Sequence, residues 1–233
     1  MSIKTVIWDM DGTIADSAAL HFHAWQVTMR RYGIDYPYQL FLDSFGRNNA
    51  EILSEQLHDP DAATITAISL EKEATYRSLV TPETLRPNPG VLDLLDSLRH
   101  AGITQIVGSS GPMANIAAMV RAMDIGDYFL ALVTGTHLPK GKPDPAIFLR
   151  CAAVAGVAPS DCLVIEDSIH GIEAAQRAGM CSVAVGTLAA SVALHPYRLE
   201  SGAGASVGIA DLSTVESTAD LLAHFEGKPT MPA

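Results

Sequence analysis

Cysteine is scarce in this chain. Cys151, Cys162 and Cys181 are all it has, and no Cys-x-x-Cys pair occurs. That excludes a disulfide framework and a zinc signature, and it points to a reducing, cytoplasmic compartment. Basic residues are also few. Lys and Arg total 15 against 26 Asp and Glu, for a net charge of -11. Such a balance argues against nucleic acid or an anionic membrane as a partner. It does not exclude a phosphorylated substrate, because a metal and a few local cations can dominate a site. No stretch approaches an uncharged span of about 18 residues, so no transmembrane helix is expected. The apolar run near the N-terminus is short and stops at acids, so no signal peptide is read. Internal repeats are absent. With 233 residues, 48% of them hydrophobic and 18% charged, the chain can bury a sizeable core. One large domain, or a core with a smaller insertion, fits that length.

The most informative stretch is Lys4-Thr5-Val6-Ile7-Trp8-Asp9-Met10-Asp11-Gly12-Thr13. A short run heavy in β-branched residues ends at two acids. A continuous apolar run suits a strand covered on both faces, as in a parallel sheet. Side chains two apart on a strand share a side, so Asp9 and Asp11 leave its end together. Gly12 then lets the chain turn. Like charges about 4 Å apart repel by roughly 4 kcal/mol at an effective dielectric near 20. A hard divalent cation relieves that repulsion, and oxygen ligands suit magnesium. The bland alternative is that these acids merely cap a helix or hold a turn.

A helix is expected over 18–32, with Asp16 or Ser17 as cap and Gly33 at its end. Further helices read over 48–57 and 60–80. Roughly 65 residues after the first strand are thus helical, far more than an ordinary crossover needs. They form a small helical insertion that ends at Arg86-Pro87-Asn88-Pro89-Gly90. Helix and strand then alternate. Helices read over 91–100, 113–123, 145–155, 169–178 and 214–225. Asp144 is expected to cap the third of these, with Pro145 at its first position. Strands read over 104–108, 129–134, 162–165 and 181–185, with a weak one over 207–209. The stretch 188–205 is poorly determined, and the tail after Gly227 reads as loose. This alternation implies an α/β fold, a doubly wound parallel sheet with an inserted helical domain. The core would comprise 1–16 and 85–233, and the insertion 17–84.

In such sheets ligands sit beyond the carboxyl ends of the strands. Asp9 and Asp11, Ser109, and Glu166 with Asp167 all fall there, and Lys142 follows the strand over 129–134. Taken singly, Ser109 could cap a helix and Lys142 could be a solvated loop lysine. Together, from stretches so far apart, they are hard to credit to turn chemistry. The segment 135–142 superficially suggests a phosphate-binding loop, but the spacing is wrong and Pro143 stands where Ser or Thr should follow. His170 and Lys140 read as exposed.

Asp9-Met10-Asp11-Gly12-Thr13, Ser109, Lys142 within Gly141-Lys142-Pro143-Asp144-Pro145, and Glu166-Asp167-Ser168 together resemble the haloacid dehalogenase superfamily of phosphohydrolases. Asp16-Ser17-Ala18-Ala19-Leu20-His21-Phe22-His23-Ala24-Trp25 resembles the helical cap of its β-phosphoglucomutase-like branch. The resemblance implies a Rossmann-like core and a set of roles. Asp9 would be the nucleophile, forming an aspartyl-phosphate. Asp11 would protonate the leaving oxygen and later activate water. Mg²⁺ would sit among Asp9, the Asp11 carbonyl and Asp167, with Glu166 either a ligand or just behind. Ser109 would hold the transferring phosphoryl oxygens and Lys142 would neutralise phosphate and nucleophile. His21, Gly46, Arg47 and Ser110 would contact substrate.

Two activities of that branch compete. His21 favours a mutase, in which a histidine here couples sugar binding to the acid–base aspartate; an ordinary helix histidine is the alternative. The mutase pattern then lapses. Phe45 stands where its lysine precedes Gly46, Asn49 stands in place of its arginine, and Ser110-Gly111-Pro112 replaces its serine–lysine pattern. The reading favoured is a magnesium-dependent phosphatase for a small phosphorylated metabolite such as a sugar phosphate, with a β-phosphoglucomutase-type mutase as runner-up. A non-catalytic phosphometabolite-binding protein is the third reading. Asp11 argues against dehalogenation, and the early cap has no Schiff-base lysine for phosphonate cleavage. The resemblance further implies cap hinges near 14–17 and 81–89, and a monomer or weak dimer.

Overall fold

Thr5–Trp8 forms strand β1, and its four side chains are all buried. Burial on both faces is what its unbroken apolar run requires. Each large side chain there contributes about 1.5–3 kcal/mol relative to exposure. The computed structural model describes residues 3–44, 49–57, 60–189 and 206–223. Four helices follow β1: α1 (Ala18–Arg31), α2 (Tyr38–Ser44), α3 (Asn49–Gln56) and α4 (Ala62–Leu79). Helix α5 (Val91–His100), β2 (Thr104–Ser109), α6 (Met113–Ala122), β3 (Ala131–Thr134) and α7 (Ala146–Ala155) come next. Then come β4 (Cys162–Glu166), α8 (Ile169–Arg177), β5 (Cys181–Val185), β6 (Ser206–Ile209) and α9 (Thr218–Ala223).

The strands form one parallel sheet in the order β3-β2-β1-β4-β5-β6. The chain walks outward from β1 to β3, then returns to lay β4 on the other side of β1. Strand order reverses there, which opens a crevice beyond the carboxyl ends of β1 and β4. Trp8 pairs with Ile165 in register, and the ladder runs one residue further, with Asp9 N–H donating to the Ile165 carbonyl at 3.0 Å. Asp9 and Glu166 are thereby set side by side. On one face, Ile7, Ile106, Val164, Phe148, Cys151 and Met180 pack into a core with α7 and α8. Trp8 and Gln105 are paired inside: Trp8 Nε1 donates to Gln105 Oε1 at 3.1 Å, and Gln105 Nε2 to the Leu95 carbonyl at 2.9 Å.

The chain divides into two compact units, Met1–Asp16 with Arg86–Ala233, and Ser17–Leu85. The second unit is helical and has its own core, built by Trp25, Met29, Tyr36, Phe41, Ile52, Leu53 and Ile68. No helix among the described residues is long and apolar enough to cross a membrane.

Several local expectations need correction. Helix α2 lies in a stretch with no expected element; seven residues are too few to be helical alone, and buried Phe41 and the Tyr36–Ser44 hydroxyl pair at 2.7 Å hold it. Ser17 occupies the cap position of α1 but makes no side-chain capping bond. Pro145, not Asp144, is the residue before α7, although Asp144 Oδ1 still accepts from Ala146 N–H at 3.0 Å. The strand expected from 129 begins at Ala131, because Gly126–Tyr128 closes into a 3-10 turn. The helix expected from 214 splits into a 3-10 turn, Leu212–Thr214, and α9. There Ser97 Oγ takes the Thr218 N–H at 2.7 Å and fixes the start of α9. The tail after Gly227 and most of 188–205 lie outside the described residues.

Candidate active site

Strand ends deliver the acids. Asp9 follows β1, Glu166 closes β4, and Asp167 comes next. Carboxylate oxygens of Asp9, Glu166 and Asp167 all lie within 4.8 Å of one another. Lys142, from the loop between β3 and α7, reaches into this cluster. Its Nζ donates to Asp9 Oδ1 and to Glu166 Oε1, both at 2.6 Å, and its side chain is only 8% exposed. Short charge-assisted bonds of this kind are about twice as strong as neutral ones.

Glu166 is held from the other side. Its Oε2 accepts from Ser168 N–H at 2.7 Å and Ser168 Oγ at 2.8 Å. Both of its oxygens are thus engaged, so its first task here is to hold Lys142. Ser168 also caps α8 by accepting from Gly171 N–H at 3.1 Å. Gly171 has to lack a side chain, since a methyl group there would lie 1.9 Å from the Glu166 carboxyl. Gly12, at φ +84°, is constrained in the same way: a methyl group there would lie 2.0 Å from Asp167 Oδ2. The turn after Asp9 is therefore pressed against Asp167, and Thr13 Oγ1 donates to Asp167 Oδ1 at 3.4 Å. Asn88 clasps that turn. Its Nδ2 donates to the Gly12 and Thr13 carbonyls, each at 3.0 Å, and its Oδ1 accepts from Asp16 N–H at 3.2 Å.

Ser109, buried at the end of β2, joins through its loop. Gly111 N–H donates to Ser109 Oγ at 3.1 Å, and a methyl group at Gly111 would lie 3.9 Å from Asp11 Oδ2. Asp9, Asp11, Ser109, Lys142, Glu166 and Asp167 are thus all gathered at the strand ends. Ser110 is exposed beside Ser109.

The electrostatics follow from burial. Burial pushes Asp9 well above the ordinary carboxylate range; Lys142 opposes the rise, and Glu166 and Asp167 add to it. Burial would by itself lower Lys142, but Asp9 and Glu166 outweigh it and hold the ammonium above the ordinary lysine value. Asp167 is pushed up to about 7 by burial and then by Glu166. One buried cation faces two buried acids and the half-buried Asp167, so the cluster is short of positive charge. Carboxylate oxygens alone suit a hard cation such as magnesium, and the residues fit one. A raised acid binds more protons folded than unfolded, so it lowers stability as pH rises from the ordinary carboxylate range toward 7. Asp167→Asn is therefore expected to raise the thermal midpoint of metal-free protein at pH 8, by about 2–4 °C per kcal/mol relieved. Added magnesium is expected to stabilise the native chain at pH 8, and the same change is expected to remove that effect. In the native chain that stabilisation is expected to weaken as pH falls below about 7, because protons compete for the ligand. Thermal melts with and without magnesium at pH 6 and 8 check both points.

The helical unit carries its own polar cluster. The His21 ring stacks on Tyr76 with centroids 3.9 Å apart, and His21 Nδ1 lies 2.9 Å from Lys72 Nζ. Lys72 is 3% exposed and pairs with Glu73 Oε1 at 2.9 Å, which also accepts from Asn49 Nδ2 at 2.8 Å. Gly46 and Arg47 lie outside the described residues. Sequence reasoning singled out neither Lys72 nor Glu73, and it gave no role of their own to Asn88 and Ser168. Glu71-Lys72-Glu73 reads as a solvated helix face, and nothing in the sequence marks it otherwise. Ser168 carried a signal, as a capping residue two positions after an acid.

Comparison with known proteins bears on the family of the chain. The profile of the haloacid dehalogenase-like hydrolases matches residues 6–185. β-Phosphoglucomutase of Bacillus subtilis is 36% identical over 193 residues, covering 79% of this chain and 84% of that one. Fructose-1-phosphate phosphatase YqaB of Escherichia coli is 33% identical, covering 77% of this chain and 95% of that one. Among solved structures, β-phosphoglucomutase from Clostridium difficile superposes with a TM-score of 0.71 at 29% identity, covering 80% of this chain and 86% of that one. The chain belongs to the haloacid dehalogenase-like hydrolases, in their β-phosphoglucomutase-like branch, and is an enzyme.

Proposed function

We propose that the chain is a magnesium-dependent phosphatase for a small phosphorylated sugar, working through an aspartyl-phosphate on Asp9. The observation that carries this reading is the Lys142 Nζ–Asp9 Oδ1 pair at 2.6 Å, set beside Asp167 at the end of β1. Asp9 offers a carboxylate oxygen to phosphorus, and Lys142 opposes the upward push that burial gives that carboxyl. Asp11, two residues on, protonates the departing sugar oxygen and then takes a proton from the attacking water. Ser109 donates its hydroxyl to a phosphoryl oxygen. When bound, magnesium held by Asp9, Asp167 and the Asp11 carbonyl, with Glu166 behind them, would supply charge neutralisation at the phosphoryl group. Preorganised charge is what this reaction needs, since phosphate monoester hydrolysis calls for accelerations up to about 10²¹.

The relatives support both a sugar phosphatase and a mutase. Against the mutase stands Asn49, which occupies the mutase arginine's place and is bonded to the Glu73 carboxylate, a poor environment for a second phosphate. Gly111-Pro112 likewise offers no cation or hydroxyl. His21 remains the proposed substrate contact of the helical unit, with Arg47, Gly46 and Ser110. A panel of phosphorylated sugars, assayed for free phosphate with and without magnesium, tests the reading. Magnesium-dependent release from a sugar monophosphate is expected. Conversion of β-glucose 1-phosphate to glucose 6-phosphate under a bisphosphate primer, without net phosphate release, would establish the mutase instead.

A further inference from the structure

Ser109 Oγ has to be aimed, and nothing in its own strand aims it. Its hydroxyl accepts from Gly111 N–H at 3.1 Å, which leaves its single proton for an outside acceptor. The hydroxyl is therefore only as well fixed as Gly111. That residue has no side chain, follows exposed Ser110, and precedes Pro112, which brings no N–H. The neighbouring strand supplies what the loop lacks. Thr134 ends β3 directly opposite Ser109, and Gly135 N–H continues the ladder by donating to the Ser109 carbonyl at 2.9 Å. Beyond that point the side chain of Thr134 takes over. Its Oγ1 donates to the Gly111 carbonyl at 2.7 Å.

Distance selects Thr134 as the donor to Gly111. Its hydroxyl lies 2.7 Å from that carbonyl, against 3.4 Å for the Thr136 hydroxyl. Its lone pairs then face Thr136 N–H at 3.2 Å and the Thr136 hydroxyl at 2.9 Å. Gly111 is thus gripped at both ends, by Thr134 at its carbonyl and by Ser109 at its N–H. The grip also holds this backbone within van der Waals distance of Asp11 Oδ2 for any added methyl, at 3.9 Å. We propose that Thr134 is a positioning residue for phosphoryl transfer: through Gly111 it fixes the Ser109 hydroxyl where the transferring phosphoryl oxygen will be. This rests on the phosphatase reading above.

The test compares Thr134→Val, which keeps the shape and removes the hydroxyl, with Thr134→Ser, which restores it. Thr134→Val is expected to lower kcat by about 10–100-fold, the scale of a displacement of about 1 Å at a reacting group. KM is expected to stay within about threefold, since the lost interaction belongs to the transition state. Affinity for orthovanadate, which mimics the five-coordinate phosphoryl group, is expected to fall in parallel with kcat. Thr134→Ser is expected to recover most of both. Thr136→Val, which leaves the 2.7 Å bond to Gly111 in place and removes only the long one at 3.4 Å, is expected to cost less than about threefold. Native turnover with Thr134→Val unimpaired, or with Thr134→Ser as slow as Thr134→Val, overturns this inference alone. A native chain that releases no phosphate from any sugar phosphate in the panel overturns the phosphatase reading and this inference with it.

Discussion

Asp9→Asn is expected to lower phosphate release by about four orders of magnitude or more, as loss of a covalent nucleophile does. The amide has the shape of the carboxylate but cannot form an acyl phosphate. The fold should survive. Asp9 lies among Glu166 and Asp167, and removing one of three crowded acids relieves repulsion. Lys142 keeps its 2.6 Å bond to Glu166, so the ammonium is not stranded. The thermal midpoint of the metal-free variant should therefore equal or exceed that of the native chain. Phosphate release from p-nitrophenyl phosphate, with thermal melts alongside, measures both effects. Mass spectrometry of acid-quenched native protein should find the phosphoryl group on Asp9. Residual activity above about one per cent in the variant would remove Asp9 from the nucleophile's role.

The placement of Asp9 is legible in the sequence for a physical reason. A strand buried on both faces leaves a simple mark, an unbroken apolar run, and its end is marked by the first charge. Asp9, Ser109 and Glu166 each stand at such an end, so register alone places them together. Lys142 could be placed near the cluster but not inside it, because a loop carries no period. What the sequence hides is side chains whose environment contradicts their type. Lys72 and Glu73 read as surface charges, yet they are 3% and 8% exposed and paired with each other. Helix α2 is hidden for a related reason, since its stability comes from the burial of Phe41 and the Tyr36–Ser44 bond rather than from the helical tendency of a seven-residue segment. Gly12 and Gly171 are legible as turn and helix glycines. That each makes room for a carboxylate of the strand-end cluster is visible only in three dimensions.

Lys142→Met should act on stability as strongly as on activity. Methionine keeps the apolar stem near the Phe148 ring, over which the ammonium sits at 4.9 Å. The charge is what goes. Asp9 and Glu166 then stand buried beside Asp167 with no cation between them. Removing one partner of a buried pair costs about 3–5 kcal/mol, mostly for the charge left behind. The sign of the pH dependence follows. Without Lys142 the Asp9 carboxyl moves further up from where the ammonium holds it, so the folded state binds more protons than the unfolded chain. Stability then falls as pH rises through the window between the ordinary carboxylate value, about 4, and the raised ones. The deficit of Lys142→Met should be largest at pH 8 and shrink toward pH 5. Magnesium should recover part of it at pH 8, because the ion supplies a positive charge at the same acids. Catalysis should not return with the fold, since magnesium cannot also stand at the lysine's place on the nucleophile; kcat should stay about 10²–10³-fold down. Urea unfolding at pH 5 and 8, with and without magnesium, separates these effects. A deficit that is equal at both pH values would mean that Lys142 is held there by packing, and that the charge it places between Asp9 and Glu166 is incidental to the fold.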